Sequence, residues 1–307
     1  MQVIDMELRD IEYFSAVAEH GNVRRAAEAL GMSQPAISKS LRRLEQSLDA
    51  KLVARTPKGV ELTPVGSALL AQVRRIRLTL DDVAREAGDL SQGRAGHLRI
   101  GAGPTVCEDL PPVYAILLKS APKLTVEITV SDNDVMVPAL HNGELDLIFN
   151  FLPVPPYEGT IQEHLYDDQF VVVASANHRL SKLKRVTIAD VAQERWALSN
   201  PFVRSQQGLY QAFQQRGLQP PRIAVETRLQ RLRLQTWAST DLLGYVSRRV
   251  LLQAARGFRL KELPIKELAW RCPFGVIYRE GGYLSPAARR FIEILKATAK
   301  EIAAEKR

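Results

Sequence analysis

The sequence predicts an α+β multi-domain chain: an N-terminal winged helix-turn-helix, a long linker helix, and a C-terminal unit of two α/β lobes. Three observations predict it. Two short helical patterns meet at Gly31 within residues 21–43; apolar residues recur at alternating spacings of four and three over residues 64–91; and from His97 onward strand-like runs alternate with helical ones.

Composition sets the outer bounds. The chain has 307 residues, room for two or three compact units, and its 25% charged and 46% hydrophobic residues are ordinary for a globular protein. A net charge of +8 favours a polyanionic partner, and its placement says more. Between His20 and Val60 stand Arg24, Arg25, Lys39, Arg42, Arg43, Lys51, Arg55 and Lys58, against Glu28, Glu45 and Asp49. Cys107 and Cys272 lie far apart without metal-ligand spacing, so neither a disulfide framework nor a zinc site is expected. Asp5, Glu7 and Arg9 precede any apolar run, and no window approaches the roughly eighteen apolar residues of a membrane span. A cytoplasmic protein with no membrane partner is the expectation.

The first helix carries an apolar stripe of Leu8, Ile11, Phe14, Val17 and Ala18. The second, residues 23–30, places Ala26, Ala27 and Leu30 on one face and stops at Gly31, where a left-handed backbone is cheapest. Ser33 suits the N-cap of the third, and Pro35 is tolerated in its first turn. Ile37, Leu41, Leu44 and Leu48 face inward there. On the opposite face Gln34, Ser38 and Arg42 form one row and Pro35, Lys39 and Arg43 the next. Amide, hydroxyl and cationic groups so arrayed read base edges and bind phosphates, so the pair of helices is expected to be a DNA reader. A lone basic helix would be a solvated face; the Gly turn and the capped second helix shift that balance. Asn22, Val23 and Arg24, at the start of the preceding helix, are also expected to contact DNA. Residues 51–63 read as a hairpin wing, with Arg55 and Lys58 flanking its tip at the DNA backbone or minor groove.

Residues 64–93 form the linker. Leu69, Val73, Ile76, Leu80, Val83, Ala87 and Leu90 make a heptad seam, which argues for a coiled-coil partner helix and a homodimer reading two half-sites. Gly88, Gly93 and Gly96 are expected to mark a hinge.

The remaining pattern, strand 98–103, helix 110–120, strand 124–130, helix 135–142 and strand 145–149, predicts an open, largely parallel sheet. A second series follows, with strands at 170–174, 196–199, 223–227 and 242–246 and helices at 206–215 and 229–237, before the chain recrosses near residue 270 and ends in a helix over 286–304. Ligands of such sheets bind outside the carboxyl ends of the strands. That rule selects Pro104, Thr105 and Val106, then Ser131 and Asn133, then Asn150, and on the other lobe Pro201, Phe202 and Thr227. Each residue type also forms turns and caps. The second lobe is rich in arginine, so a small anionic effector, such as an aromatic carboxylate or sulfonate, is expected there.

Residues 8–66 resemble the winged helix-turn-helix of LysR-type transcriptional regulators through FSAVAEHGN, AAEAL, SQPAIS, LRRLEQSL and LTPVG. Asn22 replaces the usual serine, Val53 and Ala54 the common Phe-Glu, and Ser239, Thr240 and Asp241 the usual Gly-rich turn. The resemblance implies a DNA-binding domain over 6–63, a linker over 64–93, and a periplasmic-binding-protein-like effector domain over 97–307. In that domain, lobe I covers about 97–165 and 270–307 and lobe II about 166–269. It also implies a dimer assembling into a homotetramer, operator DNA and RNA polymerase as partners, a small-molecule co-inducer in place of any cofactor, and effector contacts at Thr105, Asn133, Pro201 and Phe202.

Two other classes compete. An enzyme lacks its usual marks: His20, His97, His141, His164 and His178 are scattered, and no HExxH, GxSxG or CxxC occurs, so no catalytic or metal-ligating residue is assigned. A two-lobed solute-binding protein would share the lobes but have no use for the DNA reader.

Overall fold

The computed structural model describes residues 7–57, 59–92, 96–200, 204–255 and 257–304. The chain divides into two compact units, Met1–Arg85 and Glu86–Arg307. Among the described residues no helix is long and apolar enough to cross a membrane.

The first unit packs α1 (Leu8–His20), α2 (Val23–Ala29) and α3 (Gln34–Ser47) around buried Phe14, Val17, Ala26, Ala27, Ile37, Leu41 and Leu44. Burying side chains the size of Phe14 or Ile37 contributes about 1.5–3 kcal/mol each. The cap of α2 and the turn between α2 and α3 have the chemistry their residues suggest. Asn22 Oδ1 accepts from the backbone N–H of Arg24 at 2.8 Å, Gly31 sits at φ 64°, and Ser33 Oγ accepts from Ala36 N at 3.4 Å. Strands β1 (Val53–Thr56) and β2 (Gly59–Leu62) form the antiparallel wing, in register Val53 with Leu62.

Glu45, buried on α3, anchors that wing. Its carboxylate accepts from Leu52 N (2.9 Å), Val53 N (3.4 Å) and Lys51 Nζ (2.7 Å). Burial pushes this carboxyl up, but the three hydrogen bonds outweigh it and hold it below its ordinary value. The long α4 (Pro64–Gln92) starts where Thr63 Oγ1 caps Gly66 N at 3.0 Å. A Cβ at Gly66 would stand 2.0 Å from the Leu52 carbonyl oxygen, so only glycine fits beneath the wing. The expected hinge is corrected at one residue: Gly88 lies inside α4, because helix hydrogen bonding tolerates an isolated glycine. Gly93 lies outside the described residues.

The second unit departs from two separate parallel sheets. Strands β3 (His97–Ala102), β4 (Thr125–Val130) and β5 (Leu147–Phe151) are mutually parallel, with α5 (Leu110–Ser120) and α6 (Asn133–His141) as crossovers. The next strand, β6 (Thr160–Ser175), is 16 residues long and continues into the second lobe. Then come α7 (Ile188–Ala192), β7 (Arg195–Leu198), α8 (Arg204–Gln214), β8 (Arg222–Glu226), α9 (Gln230–Ser239), β9 (Gly244–Ser247), α10 (Arg248–Ala254), β10 (Leu260–Leu263), β11 (Trp270–Arg279) and α11 (Pro286–Ala304). β11 lies antiparallel between β5 and β6, giving one curled seven-stranded sheet in the order β10-β6-β11-β5-β3-β4 with β9 also on β6; β7 and β8 form a parallel pair beside it. Only the apolar half of β6 announced itself, because its first half alternates polar and half-buried residues.

Candidate nucleic-acid interface and ligand cleft

On α3 the outward face carries exposed Gln34, Pro35, Lys39 and Arg42 with half-buried Ser38. Neither Lys39 nor Arg42 forms a hydrogen bond or ion pair with another described residue, so both cations are available to a partner. Val23 is half-buried against the core, and Arg24 pairs with Glu28 at 2.9 Å while staying exposed. Asn22 spends its side-chain oxygen on the α2 cap. At the wing, Lys58 and the side chain of Arg55 lie outside what the structure describes.

Arg43 departs from its expected row. Its guanidinium turns to α1, with Nε 2.8 Å from Asp10 Oδ2, Nη2 2.6 Å from Asp10 Oδ1 and 3.1 Å from Glu7 Oε2. Asp10 is 1% exposed and also accepts from the buried Ser40 hydroxyl. This bidentate pair fixes the angle of α3 on α1, so Arg43 positions the reading helix. The hydrogen bond from Arg43 holds the Asp10 carboxyl below its ordinary value, with Ser40 adding to it against the opposing effect of burial.

A depressed folded-state pKa contributes stability that is present above the unfolded value, near 3.9, and is lost as pH falls through the folded one. The first unit is therefore expected to weaken in acid below about pH 4, and Asp10→Ala to cost about 2 kcal/mol at neutral pH with a shallower acid dependence. Calorimetry of the full chain from pH 3 to 7 checks both. A variant as stable as the parent would remove the role given to Asp10.

In the second unit the expected ligand residues separate into distinct roles. Thr105 and Pro104 are half-buried in the turn after β3, where the Pro104 carbonyl accepts from the Cys107 thiol at 3.4 Å. Burial pushes that thiol up, away from a reactive thiolate. Val106 is corrected to a core residue: it is 1% exposed and belongs with Leu98, Ile100 and Leu110. Asn133 and Asn150, both buried, bond to each other (Asn150 Nδ2 to Asn133 Oδ1, 2.7 Å), and Asn133 donates to the Phe151 carbonyl. Their amides therefore brace the ends of β4 and β5. Half-buried Ser131 donates its backbone N–H to Ala102 O, and the Thr227 hydroxyl accepts from Leu229 N at 3.2 Å. Pro201 and Phe202 lie outside the described residues.

Other residues, not singled out as ligand contacts in the sequence, span the lobes. Arg228, after β8, reaches Asp132 at 3.9 Å and Asp134 at 3.4 Å, at the start of α6. Buried Arg233 on α9 donates from Nη1 to the Thr227 carbonyl at 2.7 Å. Asp109, also buried, accepts from Arg249 (2.7 Å), Gln253 (3.2 Å) and Tyr166 (3.4 Å), tying the first lobe to α10. The findable signal was positional: opposite charges directly follow the carboxyl ends of β4 and β8. Among the described residues, no group of three or more His, Cys, Asp or Glu could hold a metal.

Comparison with known proteins covers both units. Residues 91–300 match the LysR substrate binding domain, and residues 8–67 match the bacterial regulatory helix-turn-helix protein, lysR family. The chain is 29% identical over 298 residues to the HTH-type transcriptional regulator GbpR of Azospirillum brasilense, covering 95% of this chain and 86% of the relative. It is 28% identical over 295 residues to the RuBisCO operon transcriptional regulator of Allochromatium vinosum, covering 96% and 97%. Full-length CbnR, solved complexed with its target DNA, is similar in fold, with a TM-score of 0.61 and 24% identity over 95% of this chain and 100% of that one.

Proposed function

Because the chain belongs to the LysR-type family of bacterial transcriptional regulators, we propose that it binds operator DNA as a homodimer, assembling further into a tetramer, under control of a small anionic effector. The observation that carries the DNA reading is the face of α3, where unpaired Lys39 and Arg42 flank Gln34 and Ser38 on a capped helix beside the wing. Such a helix enters the major groove by its first turns, and amides and guanidiniums there read base edges.

Dimerisation is supported by α4. Ile76, Leu80 and Val83 are 48%, 54% and 56% exposed along one stripe, and an adjoining groove of about 380 Å³ is lined by Ile11, Ala16, Leu30, Val73, Ile76 and Leu80. A second copy would cover both. The effector shifts how dimers pair, and so how DNA bends or RNA polymerase is met, only through its differential affinity for the two arrangements. The reading needs no cofactor and no catalytic residue, and it places the protein in the cytoplasm. A solute-binding protein fits the second unit taken alone but gives the first no task.

Footprinting on DNA upstream of the protein's own gene is expected to show two protected half-sites separated by about one helical turn or a multiple of it, with the protected length changing when the right metabolite is added. Absence of protection even in dilute salt would overturn the proposal.

A further inference from the structure

Helices α6, α8 and α9 each begin just past the carboxyl end of a parallel strand, β4, β7 and β8 respectively. The ion pairs of Arg228 with Asp132 and Asp134 bring the first and last of these helix starts face to face across the lobes. Buried in the first turns of α8 and α9 are Gln206, Gln230 and Arg233, only 2%, 7% and 7% exposed. Among the described residues Gln206 Oε1, Gln230 Oε1 and Arg233 Nε have no hydrogen-bond partner.

A buried polar atom left unpaired costs about 1–3 kcal/mol, and folded proteins keep few of them. Three at the starts of two helices that follow the paired parallel strands β7 and β8, where open α/β sheets receive ligands, ask for a molecule that completes them. The set is one cationic donor and two acceptors. Asp132 adds a third acceptor, within electrostatic reach of Arg233.

We propose that Arg233 anchors the carboxylate of the effector while Gln206, Gln230 and Asp132 accept hydrogen bonds from hydroxyl or ammonium groups of the same molecule. The ligand class is thereby narrowed to small carboxylic acids bearing hydroxyl or amino substituents. A plain hydrocarbon acid, aromatic or aliphatic, would satisfy Arg233 but leave three acceptors dry. A neutral sugar would satisfy the acceptors but bring no anion to Arg233 Nε. Burial lowers the Arg233 pKa to about 10 against the opposing effect of Asp132, so it stays charged at neutral pH. Burial raises the carboxyl of Asp132, Asp134 adds to this, and Arg228 and Arg233 oppose it. The proposal rests on reading the two-lobed unit as effector-binding.

The experiment is thermal unfolding of the full-length protein with gluconate, serine, butyrate or glucose, for the parent and for Arg233→Met. Gluconate or serine is expected to raise the melting point by roughly 5–10 °C at about a hundred times its Kd, with butyrate weaker and glucose inert. Arg233→Met is expected to lose that response and yet melt, without ligand, within about two degrees of the parent, since removal of the unpaired Nε offsets the bond lost to the Thr227 carbonyl. Four results would overturn the assignment: neither acid moves the parent; glucose acts as well as the acids; the variant responds like the parent; or the unliganded variant melts several degrees lower, which would make Arg233 a structural staple on the Thr227 carbonyl. The test involves no DNA, and operator footprinting of both proteins is read separately, so loss of the regulator reading and loss of this one are told apart.

Discussion

Replacing both Ile76 and Leu80 by glutamate is expected to yield a folded monomer that no longer protects operator DNA. These side chains sit on the same stripe as Val73, but Val73 is 6% exposed because it packs inside its own unit, whereas Ile76 and Leu80 are 48% and 54% exposed. Substitution therefore spares the core of the first unit. Each apolar side chain fully covered by a partner contributes about 1.5–3 kcal/mol, and every residue of a symmetric interface is removed from both copies at once. Four buried carboxylates would add a desolvation cost to that loss. A monomer engages one half-site at a time and forfeits the roughly 10²–10⁴-fold gain of linked binding. Sedimentation should show the change of mass, circular dichroism an intact fold, and footprinting the loss of protection. A variant that sediments like the parent would move the interface off this stripe.

Lys39→Ala combined with Arg42→Ala is expected to produce the next largest loss. A base-edge contact is worth about 1–3 kcal/mol, so the pair together weakens operator binding by roughly 30-fold to ten-thousand-fold if both read bases. Contacts to phosphate instead flatten the dependence of log K on log salt by about 0.9 per cation removed, evenly across sequences. Anisotropy titrations of operator and scrambled DNA over a salt series separate the two. Arg43→Ala serves as the contrast, because its guanidinium is held by Asp10: it should lower the melting point of the first unit while leaving the slope near that of the parent. Unchanged affinity in the double variant would remove this face of α3 from the interface.

Much of the first unit was legible because its decisive interactions are local. Asn22 and Ser33 cap the helices they precede, Gly31 takes the left-handed turn between them, and the inward residues of α3 follow helical period. The same locality made Lys39 and Arg42 legible as outward cations. The pairing of Arg43 was not legible, for the opposite reason. Its partner Asp10 stands 33 positions earlier, and helical spacing carries no information about which outward cation a neighbouring helix will claim.

The second unit shows the same division on a larger scale. Apolar runs marked β3, β5 and the buried half of β6, since a strand covered on both faces needs them. The recrossing near residue 270 was marked, but the length of β6 and the antiparallel place of β11 between β5 and β6 were not, and Val106, chosen for its place after a strand, proved to be core. By itself the sequence determined the family, the order of the units and the chemistry of the reading helix, all written in short spacings. Tertiary structure alone decided which arginines are spent and which are unmet. Arg43, Arg228 and Arg249 found carboxylates far along the chain, while Arg233 was buried with a donor unsatisfied, and pairing across such distances follows from packing, which local pattern does not encode.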